Sequence, residues 1–178
     1  MSLLLLIDGY NVVSPVAPPA RNTDPNWLHR ERMQLVNRLV THLDAETRSR
    51  TCVVFDAANP PRDRPNRFEV EGIEVLFATE YPEADDCIEE LIAAHHSPKR
   101  LAVVSSDHRV QAAAKRRGAA SFDSQEWLDR LLDGKVGLAI DIANGAGQGS
   151  AEEASDKPTG RLSDEKVSDW MKEFGFDE

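Results

Sequence analysis

Cysteine is scarce in this chain of 178 residues, positive charge is in the minority, and no apolar run is long. The two cysteines, Cys52 and Cys87, fall in a predicted strand and a predicted helix. They are too few for a disulfide framework and lack metal-ligand spacing, so both are expected to be buried, reduced and structural. Lys and Arg number 21 against 31 Asp and Glu, a formal net charge of −10. That balance argues against a protein that holds nucleic acid mainly by counterion release along a basic face; any such contact has to be local or metal-mediated. The run from Leu3 to Ile7 has no basic residue before it and is too short for a signal-peptide core or a membrane span. A cytoplasmic protein with no membrane partner is expected. Neither a phosphate-binding Walker loop nor a Gly-rich dinucleotide fingerprint is present, so no nucleotide cofactor is implied. His29, His95, His96 and His108 show no zinc-ligand spacing, and no Ser-His or Cys-His arrangement stands out.

What is present is a series of aliphatic blocks alternating with helical patterns. Leu3 to Ile7 stops at Asp8-Gly9, as a strand buried on both faces would. After a loop containing Pro15, Pro18, Pro19 and Pro25, apolar residues from Leu28 to Leu43 recur at helical spacing. Thr51 to Phe55 ends at Asp56; Ile73 to Ala78 forms a third strand, set off from it by an Arg- and Pro-rich loop. A helix over 84–96 precedes a fourth strand, Leu101 to Val104, which ends at Ser105-Ser106-Asp107. A helix from His108 to Arg117 is stopped by Gly118; Ala119 to Phe122 makes a short fifth strand; and Gln125 to Leu132 forms a helix entered through Ser124 as N-cap. Val136 to Ile142 reads as a strand-like extension. The fold class is α/β, with a mostly parallel central sheet flanked by helices. Residues 1–143 are taken as one domain and 144–161 as a Gly-rich flexible linker. Residues 162–178 are taken as a short amphipathic helix on which Val167, Trp170, Met171 and Phe174 form one apolar stripe. That stripe has to dock on a protein partner or on the chain's own domain.

The acidic residues follow the strands. Ligand sites in open α/β sheets lie beyond the carboxyl ends of the strands. Asp8 and Asp56 end two strands, and Asp107 lies just past another. Asp85 and Asp86 open the helix that leads into it. Adjacent helical positions diverge by about 100°, so only one of that pair faces inward. Asp85 precedes Ile88 by three and Ile92 by seven, which puts it on the buried stripe, whereas Asp86 groups with Glu89 and Glu90 on the solvated face. Carboxylates brought together repel unless a cation neutralises them. Hard oxygen donors suit Mg²⁺ or Mn²⁺, and such ions activate water against a phosphodiester. Each aspartate alone has a plainer reading as a turn or cap residue; their joint placement at strand ends argues for a site.

Asn11 either fixes a carboxylate or metal-bound water through its amide or only stabilises the turn after Asp8. Ser105 and Ser106 either bond a phosphate or merely precede a helix cap. Arg62, Arg64 and Arg67 are the candidates for gripping RNA phosphates. Lys115, Arg116 and Arg117 are explained by a helix C-terminus. Tyr10, Trp27 or Tyr81 either stack on a base or belong to the core.

The strings Leu5-Leu6-Ile7-Asp8-Gly9-Tyr10-Asn11, Val53-Val54-Phe55-Asp56-Ala57, Glu83-Ala84-Asp85-Asp86 and Val104-Ser105-Ser106-Asp107 occur in an order that resembles the NYN-domain branch of the PIN-like nucleases, specifically the bacterial YacP-like group. The match covers roughly residues 3 to 132, and its specificity rests on four spaced strings together. The resemblance implies a Rossmann-like PIN fold and metal-dependent endoribonuclease activity on RNA, taken as single-stranded. Catalytic and metal-binding acids would be Asp8, Asp85 and Asp107, with Asp56 nearby. The Gly-rich tail, the Pro-rich loop after the first strand, and Asp86 where relatives often carry Glu depart from the pattern. Two rivals stand beside this expectation. One is a PIN-like module that binds RNA or protein with weak or no catalysis. The other is a different phosphate-handling α/β protein, such as a phosphatase or a phosphoacceptor domain; a phosphatase of the aspartyl-nucleophile kind is disfavoured because Tyr10 occupies the position where a second Asp is needed.

Overall fold

The computed structural model describes residues 2–13, 27–57, 60 and 65–139. The elements in chain order are β1 (Leu5–Asp8), α1 (Gly9–Val13), α2 (Trp27–His42), α3 (Ala45–Arg48), β2 (Thr51–Phe55), β3 (Arg67–Val70) and β4 (Ile73–Phe77). There follow α4 (Ala84–Ala94), a short 3₁₀ turn (Pro98–Arg100), β5 (Ala102–Val104), α5 (His108–Arg117), β6 (Ala120–Phe122) and α6 (Ser124–Leu132).

The strands form one six-stranded sheet in the order β3-β4-β2-β1-β5-β6, parallel throughout except for the antiparallel pair β3 and β4. The aliphatic blocks make this possible, because a parallel sheet covered on both faces needs apolar side chains at successive positions. Alternate residues of each block divide between two cores. Leu5, Ile7, Val53 and Phe55 pack with α2 and α6 through Leu35, Leu39, Trp127 and Leu131. Leu6, Cys52, Val54 and Val103 pack with α4 and α5 through Ile88, Ile92, Val110 and Ala114. From β1 the chain builds the sheet to one side through β2, then returns to the other side at β5. The order therefore reverses between β1 and β5, and at such a point the loops part to leave a crevice.

Several details differ from the sequence expectation. The segment before β4 contains the edge strand β3, which closes a hairpin through Glu71 (φ 51°) and Gly72 (φ 91°), both left-handed as a tight hairpin turn requires. The N-cap of α6 is Asp123 rather than Ser124, since its carboxylate accepts the Gln125 and Glu126 N–H groups while Ser124 is buried. Of the extension expected over 136–142, residues 136–138 are not a strand and 140–142 lie outside the described residues; the fully buried Trp127 of α6 donates from Nε1 to Gly137 O at 2.9 Å. Cys52 and Cys87 are both buried and free. No helix among the described residues is long and apolar enough to cross a membrane. The expected linker at 144–161 and helix at 162–178 lie outside the described residues.

Candidate active site

β1 is buried along its whole length, so its last residue, Asp8, reaches the sheet edge only 2% exposed. Gly9 explains how the chain turns there. A Cβ on Gly9 would lie 2.3 Å from the Phe55 ring and 2.9 Å from Val54 O, so no side chain fits. Helical turn α1 therefore begins at once, and Asn11 folds back on the carboxylate. Its N–H donates to Asp8 Oδ1 at 3.2 Å, and its side-chain amide donates to Asp8 Oδ2. Ser105, fully buried just past β5, donates from Oγ to the same Oδ2 at 2.8 Å and accepts the Asp107 N–H at 3.0 Å. Gln111 of α5 secures this loop by donating to Ser105 O at 2.8 Å. The serine thus ties the ends of β1 and β5 together across the reversal point, and a buried carboxylate that would be costly alone is satisfied by donors on both sides.

Asp107 caps α5. Its Oδ1 accepts the Arg109 N–H at 2.6 Å and the Val110 N–H at 3.3 Å, which leaves Oδ2 outside the cap. Asp85 lies in the first turn of α4. Asp8, Asp56, Asp85 and Asp107, with Tyr10 and Asn11, line one open cleft of about 490 Å³. The Asp85 carboxyl is pushed up to about 6, first by burial and then by the negative charges of Asp107 and Asp8, with Arg109 pulling the other way. Desolvated, like-charged neighbours make the ionised form unfavourable, so the carboxylates feel one another. Asp56 Oδ1 accepts the Ala57 N–H at 2.6 Å. Among the described residues no three His, Cys, Asp or Glu side chains are gathered into a ready ligand set for a metal ion.

Other expected residues lie elsewhere. Ser106 turns away, donating to Asp123 Oδ2 at 2.8 Å and accepting the Ser124 N–H at 3.2 Å, so it braces the start of α6. Asp86 and Glu89 face Arg109 of α5 instead of standing free in solvent. Arg67 is on the edge strand, paired with Glu74, and does not line the cleft; Arg62 and Arg64 lie outside the described residues. Lys115, Arg116 and Arg117 are exposed in the last turn of α5. Tyr10 is 65% exposed at the cleft, whereas Tyr81 packs against the second core.

Two residues that the sequence reading passed over matter here. Gln111 left no sequence signal. Arg109 left one: Glu83, Asp86 and Glu89 recur every third residue along α4 with no basic partner on that helix, so the cation had to come from another element.

A mostly parallel sheet with acidic residues collected beyond its carboxyl edge, at the reversal between β1 and β5, is the architecture of the PIN-like class. The YacP-like NYN domain model matches residues 5–174, and the chain belongs to that family, a nuclease-like, RNA-related domain. The crystal structure of Rae1 (YacP) from Bacillus subtilis shares the fold, with a TM-score of 0.55 at 24% identity over 97% of this chain and 94% of that one. The structure of a tryptophan-to-leucine mutant of Rae1 is similar, with a TM-score of 0.50 at 26% identity over 75% of this chain and 77% of that one. No curated protein sequence matches the chain.

Proposed function

We propose that the chain is a divalent-metal-dependent endoribonuclease acting on single-stranded RNA, with Asp8, Asp85 and Asp107 as the acids that hold Mg²⁺ or Mn²⁺. The observation that carries this reading is the convergence of four carboxylates from separate segments on one cleft in a nuclease-like family. The donor set suits a hard cation, and Asp85, destabilised as a carboxylate by its neighbours, is the group a cation would relieve. Without a preformed three-residue set, the ion would be held by one or two carboxylates at a time with water and substrate phosphate completing its shell, as is usual for Mg²⁺. When bound, the ion supplies activation of a water molecule and neutralises charge on the phosphodiester.

The chain's own residues do the positioning. Asn11 and Ser105 fix both oxygens of Asp8, so its orientation is set before any ligand arrives. The cap holds Oδ1 of Asp107 to α5 and leaves Oδ2 outside the cap bonds. Asp56 supplies further negative charge to the same cleft. Arg62 and Arg64 are proposed to hold RNA phosphates; Arg67 does so only by exchanging Glu74 for phosphate.

The test is cleavage of a mixed-sequence single-stranded RNA in Mn²⁺, Mg²⁺ or EDTA, comparing wild type with Asp85→Asn. Metal-dependent cutting that is lost in the variant is expected. RNA binding with no cutting in any metal would replace the enzyme by a binding module.

A further inference from the structure

We propose that Arg109 is a positioning residue that sets the separation of Asp85 and Asp107 by bridging the first turns of α4 and α5. The inference rests on the metal-dependent reading above and names what holds its two acids in register. Arg109 is bonded to Asp107 directly and to Glu83 and Asp86, on either side of Asp85. Its own N–H is capped by Asp107 Oδ1 at 2.6 Å. Its guanidinium reaches α4 in three directions, to Glu83 Oε2 at 3.4 Å through one terminal nitrogen, to Asp86 through the other, and to Glu89 Oε1 at 2.6 Å through Nε. Glu83, Asp86 and Glu89 fall at spacings of three, on one side of α4, and Asp85 lies between the first two in the same turn. A rigid planar fork hydrogen-bonded to Glu83 and Asp86, with Glu89 in ion-pair reach, fixes angle as well as distance, which a single flexible ammonium does not.

Surface ion pairing by itself adds little stability to such an arrangement. The Arg109 side chain is 49% exposed and its partners Glu83, Asp86 and Glu89 are 67%, 30% and 26% exposed, and ion pairs in contact with solvent contribute little to folding and are screened by salt. Three carboxylates around one cation also leave excess negative charge. What the cluster does accomplish is to lock the helix start bearing Asp85 to the helix start bearing Asp107, at the lip of the cleft that both line. Groups that orient ligating carboxylates are part of a metal site even though they touch no metal.

The experiment measures Mn²⁺ binding by calorimetry to the full chain without RNA, and in parallel kcat and KM for single-stranded RNA, in wild type, Arg109→Ala, Arg109→Lys and Glu89→Gln. Arg109→Ala should weaken Mn²⁺ binding about tenfold and lower kcat by a similar factor, the range found when an outer partner of a metal ligand is removed. KM for RNA should stay within about twofold, since no substrate contact is lost. Arg109→Lys should recover only part of the loss, and Glu89→Gln should show a smaller loss of the same kind. Should Arg109→Ala fail to fold, Glu89→Gln and Asp86→Asn carry the same readouts. Unchanged Mn²⁺ affinity with a raised KM would make Arg109 an RNA contact and overturn the proposal. A lowered melting temperature with both kinetics and Mn²⁺ affinity unchanged would reduce it to a strut. If wild type binds Mn²⁺ and cuts RNA while every variant matches it, this inference alone fails; if wild type does neither, the nuclease reading falls and takes this one with it.

Discussion

The N-termini of α5 and α6 are built alike and differ in what surrounds them. Each is capped by an aspartate whose Oδ1 accepts the second and third N–H groups that follow it, from Arg109 and Val110 for Asp107 and from Gln125 and Glu126 for Asp123. At Asp123 the second oxygen accepts the Ser106 hydroxyl, and that bond, with the cap, holds the carboxyl below its ordinary range. At Asp107 the neighbours are acids, and its charge helps push Asp85 upward. The same local motif is thus a finished structural joint in one place and part of an unsettled charge cluster in the other. A cap alone says nothing about function; the company it keeps does.

Exchanging each of the two caps for asparagine separates the roles most sharply. Asparagine caps a helix about as well as aspartate, so neither Asp107→Asn nor Asp123→Asn should unfold its helix. Asp107→Asn removes a ligand charge and should depress metal-dependent RNA cleavage beyond the roughly 10–100-fold that outer partners of a metal ligand produce. Asp123→Asn should cleave like wild type. Equal activity in the two variants would remove Asp107 from the site.

The next effect concerns the joint beneath the cleft. Gly9→Ala places a methyl group against the Phe55 ring and Val54 O, where backbone and a buried ring leave little room to give. Overpacking of this kind costs roughly 1–3 kcal/mol, read as a lower urea midpoint with an unchanged slope. Because α1 carries Asn11, cleavage should fall along with stability. A variant as stable as wild type would show that the close approach is not required.

Smaller again is the loss of the structural cap. Asp123→Ala should cost about 1 kcal/mol at pH 7 with cleavage unchanged. Its carboxyl is depressed in the fold, so the stability it adds is present above the unfolded value and fades as pH falls through the folded one; wild type and variant should begin to converge only once the pH drops below about 4. A constant gap down to low pH would mean that the carboxylate charge is not what holds the helix start.

The strands along the chain and the gathering of acids were legible because both depend on short-range signals. A buried strand shows as an aliphatic block, and Asp8, Asp56 and Asp107 stand where three of these blocks end. Asp85 was separable from Asp86 by helical phase, and the structure places Asp85 on the cleft and Asp86 on Arg109. What was not legible depends on partners distant in sequence. Ser105 links to Asp8 across 97 positions, and nothing local distinguishes it from Ser106 beside it, which serves α6. Strand β3 is four residues whose alternation is too brief to stand out from the Arg- and Pro-rich loop before it, and its turn uses Glu71 where glycine or asparagine would have announced a hairpin. The cap of α6 was misplaced by one residue because Asp123 and Ser124 are both good capping types.

The smallest effect is also the one that tests the comparison at its root, because it asks whether Asp85 belongs with Asp123 or with Asp107. In metal-free protein the Asp85 carboxyl lies at about 6, above its unfolded value near 4, so the fold favours its protonated form. The sign is opposite to that of Asp123: relative to Asp85→Asn, wild type holds its full stability below about pH 4, loses it as pH rises to about 6, and remains the less stable of the two above that. Partial exposure screens the effect, so in EDTA at pH 8 the variant should be more stable by no more than about 1 kcal/mol, with the difference gone at pH 4. Added Mn²⁺ should then reverse the order, since an ion that binds only the folded wild type stabilises it in proportion to the logarithm of its concentration over Kd. Urea melts at the two pH values, with EDTA and with Mn²⁺, read all three terms. An Asp85→Asn variant less stable than wild type at pH 8 in EDTA would mark Asp85 as a structural acid like Asp123, and the cleft would lose the charge conflict that a metal ion is proposed to resolve.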